Sequence, residues 1–361
     1  MAKRRKTGRG WIVIGAVVLL VALAAVTPSP FVIQRPGPVV DAFGEIETED
    51  GEVEVVRITG AETFETDGSL NVLSVTVSGT PDRPSSWLSL LGTVLDPTRE
   101  VVPLESIYPA GSSSEDRRER NAALMEASQV SATAAALREV GEDVTATVRV
   151  LTVTEGGPAD GVLVEGDAVL TADGQQVSGV SQLRAVLAEH GAETPVVLGI
   201  ERDEQAMEVT VRPVADEAGD PALRIVASTE LEFPYDVDLE LDQIGGPSAG
   251  LIFALAIYDE LTPGALTGGL NVSGTGTIDD AGAVGAIGGL QSKIWAASLA
   301  GRDLLLMPLD NCADLPSRLP EGLRIAPVAN LGEAIGAIET AAAGGVPAGP
   351  ERCEALLTAE G

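Results

Sequence analysis

Lysine is nearly missing from this chain. Only Lys3, Lys6 and Lys293 occur in 361 residues, and arginine supplies the other basic side chains. Histidine occurs once, at His190, and cysteine twice, at Cys312 and Cys353. That is too little for a His/Cys metal cluster, so neither a metal nor another cofactor is expected. No Gly-Lys dipeptide is present, which excludes a phosphate loop of the Gly-x-x-x-x-Gly-Lys-Ser/Thr kind. Aromatics make up only 3%, so the cores must be built from Ala, Val, Leu and Ile. Positive charge is scarce as well: 54 acidic residues face 23 basic ones, a net charge of −31, which argues against nucleic acid as a partner.

What positive charge there is gathers at the start. Lys3-Arg4-Arg5-Lys6 and Arg9 precede an uncharged run over residues 11–27. This order predicts a cytoplasmic basic head (1–10), a single-pass membrane anchor (11–27) and an extracytoplasmic C-terminal body. The run is short for a spanning helix, which takes about 17–25 residues. Ala22-Leu23-Ala24 would suit signal-peptide cleavage, but the run is long for a signal-peptide core, so a retained anchor is expected.

The body is organised around Ile244-Gly245-Gly246-Pro247-Ser248-Ala249-Gly250, a glycine-rich turn entering an apolar helix. Ser248 falls in the first turn, beside unpaired N–H groups and the positive end of the helix dipole. Such N–H groups can hold an oxyanion during acyl transfer. Alone, Pro247 and Ser248 are equally explained as residues that favour helix starts. The isolated Lys293 shifts the balance. It follows a second Gly-Gly turn, Gly288-Gly289-Leu290-Gln291-Ser292-Lys293. A buried lysine can lose its proton and act as a base, which arginine cannot. Serine with lysine is a known nucleophile–base pair.

These two motifs, in this order and spacing, resemble the proteolytic domain of the Lon family of Ser-Lys peptidases. The resemblance implies Ser248 as nucleophile within Gly246-Pro247-Ser248-Ala249-Gly250 and Lys293 as base. It also implies a supporting role for Thr275, in Val272-Ser273-Gly274-Thr275-Gly276, although β-propensity alone would explain a threonine there. Lon-type domains often form rings, so the resemblance extends to a homo-oligomer.

Residues 28–140 would form the N-terminal part of the Lon-like domain. Pro28, Pro30, Pro36 and Pro38 impose an extended course. Residues 53–58 and 73–77 read as strands, followed by a loop through Pro97 and Pro103. Residues 116–120 are a charge run that reads as a solvated helix face or a loop. Residues 121–140 read as a helix with Met125, Val130, Ala134 and Leu137 on one face.

Residues 141–216 resemble a PDZ domain. They carry strands over 148–153, 196–201 and 207–211, a helix over 180–189, and tight turns at Gly166-Asp167 and Asp173-Gly174. PDZ domains bind peptides by strand addition. His190 closes the helix, where a polar residue is unremarkable. Residues 217–342 would complete the catalytic part and 343–361 form a tail. Val237, Leu239 and Leu241 alternate with acids, so those carboxylates read as solvated. Cys312 and Cys353 form either a disulfide or two free thiols.

The fold expected is therefore α+β: a Lon-like proteolytic domain interrupted by a PDZ domain, behind one transmembrane helix. The function expected is an ATP-independent serine endopeptidase cleaving exported or envelope proteins, with the PDZ domain recruiting protein or peptide substrates or regulating the enzyme. The rival is an inert scaffold that binds protein tails.

Overall fold

The computed structural model describes residues 7–48, 51–93, 96–109, 111, 113–216, 219–241 and 246–359. The basic head 1–6, and Ile244-Gly245 of the serine motif, lie outside this set. The chain divides into two compact units, one of Met1–Gly141 with Tyr235–Gly361, the other of Glu142–Pro234.

The first unit is built on a six-stranded mixed sheet. Its order is Arg324–Val328, Leu304–Pro308, Asn271–Gly274, Ser69–Ser78, Phe31–Asp41 and Glu100–Pro103. The first four strands run parallel and the last two antiparallel. The run Leu304-Leu305-Leu306-Met307 is buried throughout because both faces are covered. Alternation sorts its residues: Leu304 and Leu306 face one core, with the helices Gly250–Leu261 and Leu331–Ala342. Leu305 and Met307 face another, with Leu290, Ile294 and the Cys312–Cys353 disulfide. The helices that follow the two Gly motifs therefore cover opposite faces of one sheet.

Several elements depart from expectation. Glu100–Pro103 is an edge strand rather than part of a loop. Pro103 is tolerated because it sits at the end of that strand. Of the two readings of the charge run, the helix face holds: the helix starts at Ser114 with a capping box between Ser113 and Asp116 and ends on left-handed Gly141. Its buried face includes Met125, Ser128, Ala134 and Leu137, but Val130 is exposed. Val130 shares its side of the helix with Ala134 and Leu137, but it precedes the stretch 132–137, the only part of the helix buried all round. Asp236–Leu239 pairs with Val56–Thr59, and Asp238 meets Arg57 at 2.5 Å on the wet face.

The expectation of a single-pass membrane protein is overturned. Among the described residues no helix is long and apolar enough to cross a membrane. The helix Thr7–Val26 opens on Thr7, Gly8, Arg9 and Gly10. Residues 11–26 then give roughly 24 Å of apolar helix against a hydrocarbon core of about 30 Å. The anchor over 11–27 and the extracytoplasmic placement of the body fall together.

The second unit is an antiparallel sheet in the order Gln205–Val211, Val196–Arg202, Ala168–Ala172, Thr145–Val153 and Ile225–Glu232. Helix Val180–His190 packs on it through Leu183, Val186 and Leu187. Asp167, in the Gly166-Asp167 turn, is fully buried. Burial alone would raise its carboxyl, but two Arg202 bonds at 2.7 Å and the Val164 N–H hold it below the usual range. His190 lies 2.7 Å from Asp173.

Candidate active site

Gly246 takes φ +120°, a conformation that favours glycine, and delivers the chain into a 3-10 turn, Pro247–Ala249. Ser248 thus sits two residues before the α-helix Gly250–Leu261 rather than inside its first turn. Ala249 is buried and fixes the turn to the core. On the far face, Gly289 has φ +70°, and a Cβ there would meet Val75 at 2.8 Å. Only glycine allows the helix Leu290–Leu299 to start this close to the sheet.

The two helices meet at the C-terminal end of strand Asn271–Gly274. The Gly276 N–H donates to the Ser248 carbonyl at 2.9 Å, and the Leu251 N–H donates to the Gly276 carbonyl at 3.2 Å. The Thr275 N–H donates to Leu306, anchoring this junction to the neighbouring strand. Ser248, Lys293 and Thr275 are brought together there. Lys293 Nζ is 2.7 Å from Ser248 Oγ and 2.8 Å from Thr275 Oγ1.

Proton positions follow from the partners. Thr275 Oγ1 lies 3.2 Å from the Ser248 carbonyl, which can only accept, so the threonine hydroxyl donates there. Its oxygen is then left to accept from the lysine. An uncharged amine held this way keeps its lone pair for the proton of Ser248. Lys293 is 3% exposed, and its burial lowers the amine from 10.5 to about 7. Among the described residues Lys293 forms no ion pair with a carboxylate that would restore the charge.

Two further residues shape the turn without any signal in the linear sequence. Ser128 Oγ donates to the Pro247 carbonyl at 2.9 Å, and Gln129 Nε2 to the Leu239 carbonyl at 2.7 Å. Ser128 lies 119 positions from its partner and announces itself only as a polar residue on a buried helix face.

Known proteins match this arrangement in two places. Residues 243–340 match the model of the Lon protease (S16) C-terminal proteolytic domain, and residues 128–212 match that of the PDZ domain. The chain pairs a Lon-type proteolytic domain with a PDZ domain. Its Lon-type domain is 38% identical over 93 residues to the Lon protease of Buchnera aphidicola (subsp. Schizaphis graminum), covering 25% of this chain and 12% of that protein. It is 39% identical over 93 residues to the Lon protease of Rhizobium meliloti, covering 25% and 11%. The chain thus spans about a tenth of these curated relatives. Among solved structures, the PDZ domain of the SdrC-like protein from Listeria innocua aligns at 26% identity. It covers 22% of this chain and 92% of that one, with a TM-score of 0.22.

The PDZ unit has a cleft of its own, about 900 Å³, between helix Val180–His190 and the segment 220–227. Leu183, Leu187, Leu223 and Ile225 are among its lining residues. Strand Ile225–Glu232, which forms part of this wall, is the last in its sheet.

Proposed function

We propose that this protein is a serine endopeptidase in which Ser248 and Lys293 act as nucleophile and base, with no nucleotide required. The observation that carries the reading is the 2.7 Å approach of a buried, uncompensated amine to a serine hydroxyl. Neutral Lys293 takes the Ser248 proton as Oγ attacks the peptide carbonyl. Backbone N–H groups of Ser248 and Ala249, in the turn that Pro247 opens, stabilise the oxyanion. The ammonium returns its proton to the departing amine, and water, deprotonated by Lys293, releases the acyl group. Thr275 holds the amine in register by accepting one of its hydrogens.

In the same reading the PDZ domain recruits substrate. An extended peptide adds beside strand Ile225–Glu232 and places apolar side chains in the cleft. The substrates of this reading are exposed or already unfolded protein segments.

Purified protein and its Ser248→Ala form, incubated with an unfolded protein in the absence of ATP, decide the matter. Cleavage by the first and none by the second is expected. Equal cleavage by both, or none by either across a range of pH, would replace the enzyme with a binding scaffold.

A further inference from the structure

A second cavity, about 330 Å³, opens beside the first turn of the lysine helix. Gly288, Gly289, Leu290 and Gln291 form one wall, and the edge strand Glu100–Pro103 contributes Glu100 and Val102 to another. The Gly289 carbonyl in that wall accepts the N–H of Lys293, so the cavity is one helical turn from the proposed base. Its size is at the low end for ligand pockets, enough for one long side chain.

Its chemistry is one-sided. Glu100 and Asp314 both line it, and no lysine or arginine does. Asn311, itself buried, donates to Asp314 at 2.7 Å while gripping both backbone groups of Ile287. Asp314 is thereby fixed against the Gly-Gly turn. Arg99, next to Glu100 in the chain, is turned to Asp96 at 2.9 Å. Glu100, half-buried and facing the charge of Asp314, is pushed above the usual carboxylate range.

Gln34 supplies an independent sign. It stands directly opposite Glu100 in the strand pairing and lines the same cavity. It is only 6% exposed. Its side-chain amide has no hydrogen-bond partner among the described residues, so it is open to a donor that enters the cavity. Two carboxylates and an amide oxygen are acceptors waiting for a donor.

We propose that this cavity is a substrate subsite for a lysine or arginine side chain, held between Glu100 and Asp314 with Gln34 as a third acceptor. The inference rests on the peptidase reading and names its substrate class: segments carrying a basic residue at one fixed position from the cleaved bond.

The test compares matched peptides with lysine or norleucine scanned through each position. The full-length protein should favour lysine at least tenfold in kcat/KM at one position only. In Glu100→Gln with Asp314→Asn, that ratio should fall towards one, and Glu100→Lys should invert it in favour of norleucine. A flat wild-type profile, or a ratio unmoved in the variants, overturns the subsite. Should the variants not fold, the wild-type profile alone decides. Ser248-dependent cleavage with a flat profile sinks only the subsite. If nothing is cleaved the peptidase reading fails, and affinities of the two peptides for Ser248→Ala, read by fluorescence anisotropy, judge the cavity separately: equal affinities overturn it.

Discussion

The proposed reaction asks two things of Lys293 that pull apart: as a base it must be neutral, yet as an amine it prefers water. With its acidity set near 7 by burial, kcat/KM should fall about tenfold per pH unit below that value and level off above it. A profile without an acid limb near 7 would remove Lys293 from the reaction. Lys293→Arg keeps the charge and cannot shed it, so activity should drop by about 10³-fold or more while circular dichroism stays native. For Thr275, valine preserves shape but removes the acceptor. Thr275→Val should lower kcat by about 10–100-fold with KM little changed, and Thr275→Ser should recover most of it. An unchanged kcat in the valine form would make Thr275 a packing residue only.

Among elements, the nucleophile helix ends on a group it would rather not hold. Asp259 is 1% exposed; one carboxyl oxygen accepts the Leu266 N–H at 2.8 Å and the other has no partner among the described residues. Burial raises it from 3.8 to about 6. A carboxyl raised in the folded state loses stability as pH climbs from about 4 through 6. Asp259→Asn retains the acceptor and drops the charge, so it should stabilise by about 1–3 kcal/mol at pH 7.5 and by little at pH 4. Urea midpoints at both values would show it, and equal gains at the two would refute it.

Elements also show what sequence could and could not reveal. The strand Ser69–Ser78 was legible over residues 73–77, where Leu73, Val75 and Val77 alternate with hydroxyl side chains. Strand Glu100–Pro103 was not, because its proline is tolerated by position in a sheet, which no linear pattern encodes. At the site, Lys293 stood out through the rarity of lysine, while Ser248, ambiguous alone, was singled out by the resemblance of the two Gly motifs to Lon-type domains. Ser128 did not, since its bond to Pro247 exists only once the helix Ser114–Val140 has docked. Asp167 read as a turn residue, and its buried pairing with Arg202 depended on a strand 35 positions away.

At the scale of the whole molecule, the C-terminal helix Glu351–Ala359 is tied to the body by Cys312–Cys353, with Cα atoms 5.1 Å apart and 41 positions between them. Closing a loop of that length is worth about 4 kcal/mol on chain-entropy grounds, and measured values run about 2–4. The Cys312→Ser/Cys353→Ser double variant should lose that much in urea unfolding. A loss under half a kcal/mol would mean the tail is held by packing alone. The PDZ unit, with its separate core, should be untouched by that change.

Because serine and lysine are borne on opposite sides of a single sheet, their alignment samples two independent packings at once. A cavity cut on either side, even at Ile338 or Ile325, shifts one partner against the other. Turnover should therefore dim before the protein melts. Hydrolysis becomes a gauge of how well both halves of the interior are seated.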